Sequence, residues 1–194
     1  MNPRKIAIFG GSFNPFHSGH HQIVTYLSKT FDEVVVIPTN MKYYKHECEM
    51  YSFDERCDEI EKRFAEMKNV RVDRVERNRP ENWKFVHSLK HVIDDIRENI
   101  RDSMNGYVCG CTRENTCENM HVPACEFYVA MGSDCLQDFK NWYKWEEILS
   151  LAKLIVFTRP GCMNHIPEDI ECTFVSMNNT ESSTKIRKMR GFQK

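Results

Sequence analysis

Short apolar runs that stop at glycine or proline alternate along the chain with longer stretches in which every third or fourth residue is apolar. Lys5-Ile-Ala-Ile-Phe9 stops at Gly10-Gly11, and Glu33-Val-Val-Val-Ile37 stops at Pro38. Both read as buried strands by length and composition. Between them Ile23, Val24 and Leu27 fall at helical spacing. Ser52-Phe-Asp-Glu55 predicts a capping box that opens a second helix, with Phe53, Cys57, Ile60, Phe64 and Met67 on one face. Val70 to Val75 alternates as a third strand, and Phe85, Leu89, Val92, Ile93, Ile96 and Ile100 mark a one-sided helix. Residues 101–126 break the pattern, being polar and cysteine-rich, and read as an insertion. Order resumes with a strand Phe127–Met131, a helical run from about Leu136 to Leu151, strands Leu154–Phe157 and Thr173–Val175, and a last helix from near Ser183.

Strands alternating with helices predict an α/β fold with a mainly parallel central sheet flanked by helices. Such sheets bind ligands at the carboxyl ends of their strands, so the chemistry is expected in the loops after Phe9, Ile37, Met131 and Phe157. At 194 residues, the chain suits a single domain, 1–194, with the insertion at about 101–126. Composition adds exclusions. With 27 Lys and Arg against 28 Asp and Glu, no bulk field draws in nucleic acid or an anionic membrane surface, and neither is expected as a partner. Basic residues gather late, at Lys185, Arg187, Lys188, Arg190 and Lys194, as a solvated helix face or as a phosphate-facing helix end. No run has the length of a membrane span or a signal segment, so a cytoplasmic location is expected. Nine cysteines, an odd number without a secretory signal, argue for thiols in a reducing compartment, with Cys57 as plain core.

The densest chemistry lies in Gly10-Gly-Ser-Phe-Asn-Pro-Phe-His-Ser-Gly-His20, directly after the first strand. Glycines there let backbone amides approach phosphate oxygens. His17 and His20, three apart at a helix entry, converge with that helix's amino end on one anionic spot. This stretch resembles the HxGH nucleotidyltransferases, and its GGSFNP wording is most similar to the nicotinate/nicotinamide mononucleotide adenylyltransferases. The resemblance implies a Rossmann-like nucleotidyltransferase fold and a loop that holds ATP phosphates, with Gly10, Gly11, Ser12, Phe13, His17 and His20 as the matching positions. Ser182-Ser-Thr-Lys-Ile-Arg187 opens the last helix and by itself reads as an N-cap with a surface Arg. It resembles the family's triphosphate-binding I-S-S-T-x-I-R, which assigns Ser183, Thr184, Lys185 and Arg187 to ATP. Arg187 joins His17 and His20 as a catalytic candidate. Glu181 replaces the usual Ile, which either loosens packing or puts a carboxylate near the phosphates.

Gly132-Ser-Asp-Cys-Leu-Gln-Asp-Phe-Lys-Asn-Trp-Tyr143 resembles the family's G-x-D…W-Y stretch. It implies that Gly132 and Asp134 touch ATP and that Trp142 and Tyr143 contact the pyridine nucleotide; buried core is the alternative for both aromatics, and an N-cap for Asp134. The resemblance also places Asn40 and Lys45 after the second strand, Trp83 before the long helix, Arg159 after the fifth strand, and Asn179 before the last helix on the substrate side. It spans most of the chain, from Lys5 to about Gly191, and implies AMP transfer from ATP to nicotinate or nicotinamide mononucleotide, with Mg²⁺ held mainly by the ATP phosphates. Pantetheine-phosphate adenylyltransferase and a non-catalytic nucleotide sensor are the rival readings. The cytidylyltransferase motif R-T-x-G-I-S-T is absent. Within the insertion Cys109, Cys111, Cys117, His121 and Cys125 either hold a structural zinc or form a loop of thiols. Oligomeric state is left open.

Overall fold

Ile6, Ala7, Ile8 and Phe9 are consecutive apolar residues, so both faces of the first strand need cover. The computed structural model, which describes residues 2–40, 51–80, 82–105, 124–158, 169–178, 181 and 183–191, supplies it on both sides. Strands β1 (Arg4–Gly11), β2 (Glu33–Pro38), β3 (Val70–Val72), β4 (Cys125–Gly132), β5 (Lys153–Thr158) and β6 (Cys172–Ser176) form one sheet in the order β3-β2-β1-β4-β5-β6. Every neighbouring pair runs parallel, as expected for a Rossmann-like nucleotidyltransferase fold.

Period-two alternation sorts the strand residues between two cores. Ile6, Ile8, Val35, Val129 and Val156 pack with Val86, Leu89, Val92 and Ile93 of helix α3 (Phe85–Asn105) and Ile148 of α5 (Trp145–Leu151). Ala7, Phe9, Val34, Val36, Ile155 and Phe157 pack on the other face with Val24 and Leu27 of α1 (Ser18–Thr30), Ile60 of α2 (Phe53–Arg63) and Phe64 just beyond it. The chain builds outward from β1 through β2 to β3, then returns to lay β4 on the other side of β1. This reversal opens a crevice at the carboxyl ends of β1 and β4, bounded by α1 on one face and α3 on the other.

The predicted capping box is present: Glu55 N donates to Ser52 Oγ at 3.3 Å, and Ser52 N donates to Glu55 Oε2 at 2.8 Å. Cys57 is fully buried, and burial pushes its thiol up to about 11. Four boundaries differ from the sequence reading. The second helix stops at Arg63, so Phe64 and Met67 pack from the turn that follows. The third strand ends at Val72, because Asp73 Oδ1 accepts from Val75 N at 2.9 Å and turns the chain. The helical run 136–151 is three pieces: α4 (Ser133–Gln137), a 3-10 turn Phe139–Asn141, and α5. The break is a left-handed Lys144 at φ 54°, which no glycine or proline announces. The insertion is shorter than its composition suggested, since α3 continues to Asn105 and β4 opens at Cys125.

One close approach fixes the crevice floor. A Cβ on Gly10 would lie 2.6 Å from Phe85 Cε2, the ring of which also meets Trp142 edge-on at 5.6 Å between centroids. Gly10→Ala is therefore expected to overpack this junction and cost about 1–3 kcal/mol. Urea denaturation should show a lower midpoint, and Phe85→Leu in the same chain should recover part of the loss, since the two sites share one contact.

Candidate active site

The loop after β1 is held in place from three directions. Phe13 takes a left-handed φ of 47° while its ring, 1% exposed, packs edge-on against Phe9 at 5.2 Å and His20 at 4.9 Å. Such a backbone costs a non-glycine residue about 1–2 kcal/mol, which the buried ring offsets. Thr39 N donates to Gly11 O at 2.8 Å and joins this loop to the one after β2. Arg56 of α2, only 2% exposed, donates from Nη1 to Ser12 O at 2.6 Å and to Thr39 O at 2.9 Å, and from Nε to Tyr51 O at 3.2 Å.

His17 is the N-cap of α1, and its Nδ1 accepts from Gly19 N at 3.1 Å. A neutral ring with Nδ1 so engaged carries its proton on Nε2, where it can donate to an anion. The His20 ring stacks on it, 3.7 Å between centroids and 28° between planes, and is bordered by Phe13 and Phe16. Two imidazoles, the head of a 13-residue helix and a glycine-rich strand end thus share one corner of the crevice.

Helix α6 (Ser183–Met189) docks on the same loop. Ser183 Oγ donates to Pro15 O at 3.0 Å, and Arg187 Nη1 donates to Asn14 O at 2.6 Å. Arg187 Nη2 also reaches Thr184 Oγ1 at 3.3 Å, and Lys185 is exposed on the same helix. Glu181 puts its carboxylate at the head of α1, where Oε2 accepts from Ser18 Oγ at 2.5 Å and Ser18 N at 3.3 Å. The bonds from Ser18, with the neighbouring His17 and Lys185, hold that carboxyl below its ordinary range. Glu181 thus sits beside His17 at the amino end of α1.

Beyond Gly10 the crevice continues onto the α3 face. Lys84, Phe85, Asn141, Trp142 and Tyr143 line it there, while Gly132, Asp134 and Cys135 line it at the end of β4. Together these walls enclose a cleft of about 600 Å³, which straddles the sheet edge over Gly10 and Gly11. Trp142 is half-buried against Phe85 and Phe139, whereas Tyr143 is 51% exposed. Gly10, Gly11, Ser12, Phe13, His17, His20, Gly132, Asp134, Trp142 and Tyr143 all line this one cleft.

Asn40 and Trp83 instead meet in a buried polar network behind the wall. Glu76, 8% exposed, accepts from Asn40 N at 2.9 Å and from Ser88 Oγ at 2.9 Å, and Trp83 Nε1 donates to that Ser88 Oγ at 2.8 Å. Asn40 Nδ2 donates to Glu76 O at 3.0 Å and Arg77 O at 3.1 Å, and the Arg79 guanidinium lies 4.4 Å from the centre of the Trp83 ring. Burial drives the Glu76 carboxyl up, against the lowering pull of Asn40, Ser88 and Arg56. Lys45, Arg159, Asn179, Cys109, Cys111, Cys117 and His121 lie outside the described residues. Cys125 opens β4 and packs on the α3-side core.

Sequence reasoning missed Arg56, Glu76 and Lys84. Arg56 sits in Asp54-Glu-Arg-Cys-Asp58, where charges on both sides make it read as solvated. Only its helical phase beside buried Cys57 and Ile60 hints at burial.

A family model described as cytidylyltransferase-like matches residues 8–189. The chain belongs to this family. Curated relatives include a probable nicotinate-nucleotide adenylyltransferase of Fusobacterium nucleatum subsp. nucleatum, 29% identical over 163 residues that cover 82% of this chain and 70% of the relative. One of the same name from Herminiimonas arsenicoxydans is 28% identical over 183 residues, covering 91% and 72%. Among solved structures, the Plasmodium falciparum nicotinic acid mononucleotide adenylyltransferase complexed with NaAD superposes with a TM-score of 0.65 at 16% identity, covering 95% of this chain and 83% of that one, which supports the fold. The family's description names cytidylyl transfer, whereas these relatives are named adenylyltransferases.

Because Glu76 is more easily protonated in the folded state than in the open chain, its own contribution to stability falls as pH rises through and above the ordinary carboxylate range. The unfolding free energy of the native chain minus that of Glu76→Gln should therefore decrease with rising pH across that window. Paired denaturation series at several pH values read this directly, and a flat difference would mean that the carboxyl titrates alike in both states.

Proposed function

We propose that the chain transfers AMP from ATP to a pyridine mononucleotide, releasing pyrophosphate and forming a dinucleotide of the NAD group. The observation that carries this is the two-ended cleft. Its α1 end gathers His17, His20, the helix head and the glycine loop, which suits a polyphosphate. Its α3 end presents Phe85, Trp142 and Tyr143, which suits a flat aromatic ring. The relatives' names favour nicotinate mononucleotide as the acceptor.

The acceptor's 5′-phosphate oxygen forms a bond to the α-phosphorus of ATP. The bond from that phosphorus to the bridging oxygen breaks, and its electron pair leaves with pyrophosphate. This in-line exchange needs two anions aligned and the charge on the phosphorus stabilised. His17 donates from Nε2, His20 stacks beside it, and the loop amides complete the anion site. Arg187 acts through the loop it ties at Asn14 O, and α6 brings Ser183, Thr184 and Lys185 alongside. Asp134, just beyond β4 and lining the cleft, supplies a carboxylate for a ribose hydroxyl on this reading.

Among the described residues, no group of three or more His, Cys, Asp and Glu side chains could hold a metal ion by itself, and Asp134 and Glu181 are the carboxylates that line the cleft. This donor set fits Mg²⁺ carried chiefly by the nucleotide's phosphates, where it would neutralise charge on the leaving pyrophosphate. No described helix is long and apolar enough to cross a membrane.

Pyrophosphate release with Mg-ATP and either nicotinate mononucleotide, nicotinamide mononucleotide or phosphopantetheine tests the reading. Release with a pyridine nucleotide is expected; release with phosphopantetheine alone would reassign the acceptor, and silence with all three would leave a binding role. By the size of comparable losses of charge-stabilising donors, His20→Ala should lower kcat by about 10²–10³-fold. Near-normal turnover in that variant would remove His20 from the mechanism.

A further inference from the structure

The α3 end of the cleft holds a charge that stacking alone does not require. Lys84 immediately precedes α3 and lines the cleft beside Phe85, Asn141, Trp142 and Tyr143. It is the one Lys or Arg among the described lining residues. Its backbone is fixed: Lys84 N donates to His87 Nδ1 at 3.0 Å, and His87 N donates to Lys84 O at 2.8 Å. Its ammonium makes no ion pair among the described residues. Lys144, the other cation beside Tyr143, is held by Glu147 at 3.4 Å and lies 5.6 Å from the Tyr143 ring centre. Among the described residues the carboxylates that line the cleft are Asp134, just beyond β4, and Glu181, at the head of α1.

We infer that Lys84 selects the carboxylate form of the pyridine ring, making nicotinate rather than nicotinamide mononucleotide the acceptor. This rests on the adenylyl-transfer reading above and assigns its specificity. Both acceptors carry a positively charged ring nitrogen. Nicotinate balances it with a carboxylate, whereas nicotinamide presents a neutral amide. An ammonium on that wall, with no ion pair among the described residues, attracts the first group and repels the uncompensated pyridinium of the second. The head of α3, a 21-residue helix, adds partial positive charge of the same sense. Phe85, Trp142 and Tyr143 supply ring contact common to both acceptors, so they contribute affinity without choosing between them. The preference is electrostatic at a solvent-accessible side chain, and it should weaken as salt is raised.

The test compares the native chain with Lys84→Met, Lys84→Arg and Lys84→Glu, reading calorimetric affinity and kcat/KM for each mononucleotide with Mg-ATP. The native chain should favour nicotinate mononucleotide. Lys84→Met should lower the nicotinate-to-nicotinamide ratio about tenfold or more, the scale of one lost charged hydrogen bond. Lys84→Arg should keep the preference, and Lys84→Glu should reverse it. A merely structural role would lower both acceptors together and leave the ratio alone. A ratio that stays constant in Lys84→Met and Lys84→Glu, or a native preference for the amide, would overturn the assignment while leaving adenylyl transfer in place. Failure of the native chain either to bind or to consume both pyridine nucleotides would overturn the functional reading and this assignment with it.

Discussion

The guanidinium of Arg56 lies between the loops that follow β1 and β2 and donates to a carbonyl of each. A buried cation is expensive unless its donors are satisfied, and the carbonyls of Ser12, Thr39 and Tyr51 accept from this one. The arrangement constrains more than the side chain. In a trans peptide the carbonyl and the following amide point in opposite directions, so turning Ser12 O toward Arg56 turns the Phe13 amide away from α2. The left-handed Phe13 and its buried ring then commit the loop to bring His17 to the head of α1. Loop shape, helix entry and anion corner are one mechanical unit, and α6 closes it through Ser183 and Arg187.

The two ends of the cleft follow from the sheet's connectivity. Because β4 returns to the far side of β1, the strand ends are flanked by α1 on one face and by α3 on the other, and Gly10 lies where both can be reached. The absence of a side chain at Gly10 lets Phe85 close on the strand, which brings Lys84 and the head of α3 to the crevice. Behind this wall the Glu76 network ties the end of β2 to the start of α3 through Asn40, Ser88 and Trp83. Asn40 and Trp83 therefore brace the α3 side of the cleft from behind its lining residues. The structure gives each a hydrogen-bonding role in the wall, whereas sequence similarity offered only a place near substrate.

Much of this was legible in the chain. The apolar run before Gly10-Gly11, the capping box at Ser52, the one-sided α3 and the order of strands and helices each follow from local chemistry, and the GGSFNPFHSGH stretch carries its own context of strand, turn and helix. Hydrophobic period and turn residues act over a few positions, so they can be read without knowing what lies opposite. The break at Lys144 carries no glycine or proline to mark it, and the burial of Arg56 depends on Ser12, 44 residues away. The sequence by itself determined the alternation of strands and helices and the strand, glycine turn and helix that carry His17 and His20, because each is encoded by contiguous residues. Tertiary structure alone decided which charged side chains are buried, which aromatics line the cleft and that Lys84 joins them, because burial and electrostatic environment exist only once distant segments are packed together.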